Sequence, residues 1–492
     1  MGEEGQQFEA SVLVRRGLSR VLVGLGVAVL VAMPLYAQPR PVPTPDWVRL
    51  QQETLEHFQA ILRLDTSNPP GNETAVVDYL ATVLTREGIE FQTYALEPAR
   101  ANLVARVKGT GRRRPVLIMG HTDVVTVDPS KWTFPPFSAT RDGGYVYGRG
   151  SLDDKPHVVA GLMTLLTLKR LNVALDRDVI FLAESGEEGT TRVGIDFMTT
   201  EHFDAIDAEY CLAEGGGIRR ENGRIRFASV GTMEKVPRTI ELIARGPSSH
   251  GSVPTRGNAV ARLARAVAAV TDWQPPIRLN ETTREYFSRL AATSPPDAAA
   301  RFRTLLSGDA VKMEEVARYF QEFAPGYAAL LRSTVSPTVL RAGSRYNVIP
   351  SEATATLDVR LLPGDDPARL VSDLQAVIDD PSVEVRLAAR DGLPRPLGTS
   401  GINTEAFRAI ETAVAQNYDT VTIPAMGTGA SDNAQMRSKG VQCYGIGPAT
   451  DAEDGPKGFG AHSDQERILE SELHRFMRFT WDVVINLARQ RP

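Results

Sequence analysis

VLIMGHTDVV, residues 116–125, is the stretch on which the fold turns. Its first five residues are apolar throughout, as a strand buried on both faces reads. His121 and Asp123 follow two residues apart, so on extended backbone they share a face. The same order recurs. VIFLA at 179–183 leads into LAESGEEG, with Glu187 and Glu188, and EYCLA at 209–213 leads into Glu214. Before the first of these runs and between the first two the spacing turns helical, at 74–87 and 157–171; at 74–87, Val76, Val77, Leu80, Val83 and Leu84 fall on one face. Apolar strands alternating with helices predict an α/β fold around a sheet with parallel strands.

The character changes near Gly231. TIELIA (239–244) alternates, 258–273 is helical, and EATATLDVRLL sets Ala353, Ala355, Leu357, Val359 and Leu361 against Thr354, Thr356, Asp358 and Arg360. A helix at 366–379 and a strand at 383–389 complete βαββαβ, a ferredoxin-like unit. An extra, mostly helical segment spans about 274–333. From 402 the α/β alternation resumes. The prediction is an α/β domain with a mixed sheet flanked by helices, in two parts (47–230 and 392–492), interrupted by a smaller α+β lid at 231–391.

Composition narrows the class. The 492 residues are 42% hydrophobic and 23% charged, which excludes a disordered chain and a multi-span membrane protein. A net charge of −5 gives no sign of nucleic acid or an anionic membrane as partner. Two cysteines, Cys211 and Cys443, do not make a disulfide framework, so the fold is not expected to rest on one. At the start, Arg15, Arg16 and Arg20 precede an apolar run at 21–33, and Ala37 offers a small residue for cleavage. Residues 1–37 therefore read as a signal peptide or an N-terminal anchor. QPRPVPTP then reads as a proline-rich tether (38–46). The expected location is periplasmic or secreted, with membrane contact only through an uncleaved N-terminal segment.

The residues that carry chemistry stand mostly at strand ends, the edge where open α/β sheets bind ligands. Singly, each has an ordinary reading: Asp153 in YGRGSLDDKPH as a helix N-cap, Glu187-Glu188 as a solvated turn, Glu214 before three glycines as a turn acid, His462 in GFGAHSDQERI as a loop histidine. Order and placement together describe a dinuclear nitrogen–oxygen site. Imidazole and carboxylate without cysteine suit zinc, with manganese or cobalt as alternatives.

The set HTD, GRG-x-x-DDK, EE-G, AEGG and a late AH resembles the dinuclear zinc exopeptidases and deacylases that include aminoacylase, carboxypeptidase S, glutamate carboxypeptidase G, carnosinase and acetylornithine deacetylase. It covers about residues 47–490 and is most similar to the carboxypeptidase S and N-fatty-acyl-amino-acid hydrolase branch. The resemblance implies two zinc ions per subunit. His121, Asp153 and Glu214 would hold one; Asp153 would bridge to the second, completed by Glu188 and His462. Asp123 would orient His121, and Glu187 would be general base and then acid. A cis peptide is implied after Asp153.

In the lid, RGPSSHGSVP implies that His250 polarises the scissile carbonyl, often across a dimer interface. NVIPSEATATLDVR implies that Asn347 and Arg360 bind a free substrate carboxylate, and GTGASD places Gly429 beside the substrate, with Asp432 capping the next helix. Lid closure is implied, as is a homodimer through the lid. Ser463, Gln465 and His157 depart from the usual residues at their positions. The activity implied is amide hydrolysis in short peptides or N-acyl amino acids bearing a free carboxylate. The alternatives are a dedicated N-acyl-amino-acid deacylase and a non-catalytic binding protein on the same fold. The latter is disfavoured because no ligand is missing.

Overall fold

A computed structural model describes residues 43–388 and 395–491. The signal segment, most of the tether and the boundary between 391 and 392 lie outside the described residues. Among the described residues no helix is long and apolar enough to cross a membrane.

Ten strands form one mixed sheet. Its centre is the parallel set Val179–Glu184, Val116–His121, Tyr210–Ala213 and Gln442–Gly445. Antiparallel strands flank it: Ala101–Val107 and Glu90–Ala95 on one side, Arg224–Glu234 and Gly217–Glu221 on the other. Two further strands pair parallel on that side, Thr422–Gly427 with Arg224–Glu234 and Ala449–Asp451 with Gly217–Glu221, so the sheet is mixed, as expected, around a parallel core.

All six residues of Val116–His121 are buried. Period-two alternation sends Val116 and Ile118 to one face, with Phe181, Leu212 and the helix Lys155–Arg170. Leu117 and Met119 go to the other, with Ile180, Leu182 and the helix Ile195–Glu201. Each large side chain buried this way contributes about 1.5–3 kcal/mol. The long C-terminal helix Glu470–Ala488 covers Lys155–Arg170, which is why that helix is apolar nearly all round.

The two cysteines have a pairing that the sequence reading did not draw. Cys211 and Cys443 are bonded to each other, in register on adjacent parallel strands with Cα atoms 4.3 Å apart. One bond is no framework, but it ties together the sheet segments on either side of the insertion, 232 residues apart in sequence.

The smaller sheet is antiparallel, in the order Thr334–Ala342, Glu352–Leu361, Val236–Arg245, Val383–Leu387. Helices Ala259–Asp272 and Pro367–Ile378 cover one face, over a core that includes Ile240, Leu242, Leu263, Leu357, Val359 and Leu374. The extra helices, Glu281–Thr293, Pro296–Leu305, Ala310–Phe323 and Pro325–Ala329, pack Phe287, Phe302, Phe320 and Tyr327 with Met233, Leu362, Ile423 and Met426. That cluster spans the chain's passage from one sheet to the other. Phe320 and Leu331 are interior there, while Tyr319 and Phe323 stay exposed.

Candidate metal centre and active site

Three central strands deliver the site. His121 is the last residue of its strand, and Glu214 follows Tyr210–Ala213 directly. Glu187 and Glu188 sit in the turn after Val179–Glu184. Asp153 arrives from the turn before helix Lys155–Arg170. Gly120 permits this approach: a Cβ there would lie 2.9 Å from His157 Cβ and 3.0 Å from Val158 N. The Asp153–Asp154 peptide is cis. Asp154, buried and ion-paired with His157, accepts the backbone N–H of His121 at 3.3 Å.

Asp153 divides its two oxygens. Oδ1 lies 3.0 Å from His121 Nε2, and Oδ2 lies 3.1 Å from His462 Nε2. His121 Nε2 is 3.9 Å from Glu214 Oε2, and His462 Nε2 is 2.8 Å from Glu188 Oε1. Two overlapping groups, His121–Glu187–Glu214 and His121–Asp153–Glu188, each hold their donor atoms within 4.8 Å of one another. His462 takes a left-handed backbone (φ 62°), a region that few residues other than glycine occupy, though histidine does so more readily than most.

Asp123 does more than face His121. Its carboxylate is 3.5 Å from His121 Nδ1, whereas its backbone carbonyl is closer, at 3.0 Å. The carboxylate accepts the backbone N–H groups of Glu187 and Glu188, both at 3.1 Å, and the Asn68 side-chain amide at 2.8 Å. Glu466, wholly buried, accepts from Arg149 (2.7 Å), Gly150 N (3.2 Å), Leu152 N (2.7 Å) and Asp153 N (3.2 Å), fixing the turn that carries Asp153. Arg395 Nη2 lies 3.2 Å from Glu187 Oε1. Sequence reasoning assigned no role to Asn68, Glu466 or Arg395. Glu466 alone left a trace, four residues after His462 and just before the strand Arg467–Leu469 that leads into the last helix.

The electrostatics show too much negative charge for the protein cations present. Burial pushes Glu214 well above the usual carboxylate range, with Glu187 and Asp153 adding repulsion. Burial also raises Glu187, to about 7; His121 and Arg395 oppose this, and Glu188 and Asp123 reinforce it. Desolvation acts on the half-buried Asp153 in the same direction, but hydrogen bonds from His121 and His462 bring it below its ordinary value. Hydrogen bonds to Asp153 and Glu188 raise His462 to about 10. A divalent cation relieves crowding of this kind. Both cysteines are bonded elsewhere, so the donors are imidazole and carboxylate, a set that fits a pair of borderline divalent metals.

The structure thus gathers His121, Asp123, Asp153, Glu187, Glu188, Glu214 and His462. The remaining candidates make their contacts elsewhere. His250 is exposed, with Nδ1 2.7 Å from Ser252 Oγ, and Asn347 accepts the Gly251 N–H at 2.7 Å through its backbone carbonyl. Arg360 donates to Asp358 at 2.7 and 3.0 Å. Gly429 stands in open space. Asp432 heads the helix Asn433–Ser438 without capping it; its side chain turns instead toward Arg395, 3.5 Å away. A cavity of about 380 Å³ opens beside Asp153 and Glu214, walled by Gly215–Gly217, Tyr145, Ile446, Pro448 and Leu469.

This fold and this site define a metal-dependent hydrolase of amide bonds. The chain belongs to Peptidase family M20/M25/M40, which matches residues 117–485. It is 30% identical over 339 residues to a probable carboxypeptidase S-like 2 of Dictyostelium discoideum, covering 66% of this chain and 63% of that protein. It is 25% identical over 380 residues to the N-fatty-acyl-amino acid synthase/hydrolase PM20D1 of Homo sapiens, covering 76% of this chain and 74% of that one. The M20 family metallo-carboxypeptidase Sso-CP2 of Sulfolobus solfataricus shares the fold, with a TM-score of 0.66 at 20% identity over 88% of this chain and 98% of that one.

Proposed function

We propose that the protein hydrolyses the amide bond of short peptides or N-acyl amino acids that bear a free carboxylate, with zinc as its cation. The observation that carries this reading is the divided carboxylate of Asp153, one oxygen toward His121 and the other toward His462. A carboxylate so placed serves two cations at once. The relatives named for carboxypeptidase and for fatty-acyl-amino acid hydrolysis support both substrate classes.

His121, Asp153 and Glu214 would hold one zinc ion; Asp153, Glu188 and His462 would hold the other. When bound, such a pair supplies Lewis acidity toward the amide carbonyl and the attacking water. Glu187 takes the proton of that water and returns it to the leaving amine. Asp123 fixes the backbone from which Glu187 projects. His250, Asn347 and Arg360 reach substrate after the smaller unit closes, His250 toward the carbonyl and the other two toward the carboxylate. Gly429 lines the path.

The homodimer expected through the smaller unit is supported by its exposed edge strand Thr334–Ala342 and by Leu340 and Tyr346, both open to solvent. Export is supported by the charge and hydropathy order of residues 15–37 and by a disulfide that suits an oxidising compartment.

The deciding experiment is hydrolysis of a panel of dipeptides and N-acyl amino acids, before and after chelation and zinc re-addition. Zinc-restored cleavage supports the assignment and separates peptidase from deacylase. Failure to bind metal removes it.

A further inference from the structure

Arg395 is the first described residue on the chain's return from the smaller sheet, after Val383–Leu387. It is 8% exposed, and its guanidinium is forked between two acids: Nη2 lies 3.2 Å from Glu187 Oε1, Nη1 3.5 Å from Asp432 Oδ1. Asp432 is itself buried, and its other oxygen has no hydrogen-bond partner. Its side chain is therefore committed to Arg395 and not to the helix it heads.

The position of Glu187 makes this contact consequential. A carboxylate oxygen of Glu187 lies within 4.8 Å of donor atoms of both His121 and Glu214, close enough for all three to share one cation. A glutamate there has two available fates. It can stand off and exchange protons with water, or it can swing in and become a ligand. A ligated carboxylate is a poor base, since its lone pair is engaged.

We propose that Arg395 is a positioning residue that keeps Glu187 out of the metal's ligand set, by engaging Oε1 while Asp432 anchors the other arm of the fork. The proposal rests on the reading of Glu187 as general base. The planar guanidinium suits the task because it engages two carboxylates at fixed spacing, which an ammonium does not do.

The test compares Arg395→Ala, Arg395→Lys, Glu187→Gln and the double variant Arg395→Ala/Glu187→Gln, in the full chain. It reads kcat, KM and zinc affinity by chelator competition, using the metal alone. Arg395→Ala is expected to lower kcat by about 10- to 100-fold with little change in KM, the scale of contacts just outside a metal site. It should also bind zinc more tightly than the parent, and that gain should vanish in the double variant. Arg395→Lys should fall between parent and alanine in both readouts. It carries the test alone if the alanine variant fails to fold.

A rise in KM without loss of kcat would make Arg395 a substrate contact and overturn the proposal. So would zinc affinity that is unchanged or weakened, because release of Glu187 toward the metal would then not have occurred. Parent-like turnover in Glu187→Gln would remove the base reading itself, whatever Arg395 does.

Discussion

Asp123 holds Glu187 by its backbone: Oδ1 accepts the Glu187 N–H at 3.1 Å. The other oxygen does the same for Glu188, so one buried carboxylate sets the turn from which both acids project. In Asp123→Asn an amide NH2 replaces one of these acceptors and faces a donor. The expected result is a kcat lower by about 10- to 100-fold and weaker retention of zinc, with the fold kept. Steady-state kinetics and metal content after dialysis check this, and parent-like values in both would show that the clamp is dispensable.

Glu187→Gln leaves every proposed ligand in place and removes the proton acceptor. Metal content should be unchanged while turnover falls by about 10²- to 10⁴-fold, the range for general acid–base catalysis. Ordinary turnover in this variant would sink the assignment.

The pH dependence follows from the same residue. Burial raises Glu187 to about 7, and a base works only when deprotonated. Activity should therefore be present at higher pH and lost as pH falls through this group. Bound cations favour the carboxylate, so the limb should lie at or below about pH 7 in the metal-loaded enzyme. A profile of kcat/KM against pH measures it, and a base-dependent limb well above that point would contradict the sign.

Arg360 is engaged with Asp358 in this structure, so a substrate carboxylate must take over that contact. Arg360→Ala should raise KM for substrates with a free carboxylate by about 10-fold or more, as expected for a charged hydrogen bond. Carboxamide analogues should be affected far less. An equal loss on both series would rule the role out.

The Cys211–Cys443 bond closes a loop whose ends are 232 residues apart. On the chain-entropy account such a loop is worth about 5 kcal/mol, although native strain often reduces the yield. Cys211→Ala, or reductant, should lower the midpoint of denaturant unfolding while the folded enzyme still binds added divalent metal. Coincident unfolding curves with and without reductant would show that the bond contributes nothing.

The strands that lead to His121, Glu188 and Glu214 were legible because a strand buried on both faces is uninterrupted in sequence and the polar residues stand at its end or within four residues beyond it. The smaller unit was legible in the alternation of 353–361, which the structure reproduces residue by residue. Other features depend on partners that local pattern does not reveal. Asn68 meets Asp123 across 55 positions and Arg395 meets Glu187 across 208. Neither residue carries a local mark. A mixed sheet was expected, but which strands run antiparallel was not legible, because strand direction is set by how the connections cross and periodicity does not record it. The cysteines were counted correctly, but their pairing depends on the register of two strands that only the folded sheet brings together.

The disulfide also decides what a protease can do to this protein. The whole inserted unit lies between the bonded cysteines, so a cut at any exposed bond from 212 to 442 opens the chain without releasing either half. The product is a two-chain molecule, intact in mass until reduced and held together by the β-sheet and one covalent bond. A single band on a non-reducing gel that resolves into two fragments under reduction is what such nicking would leave behind.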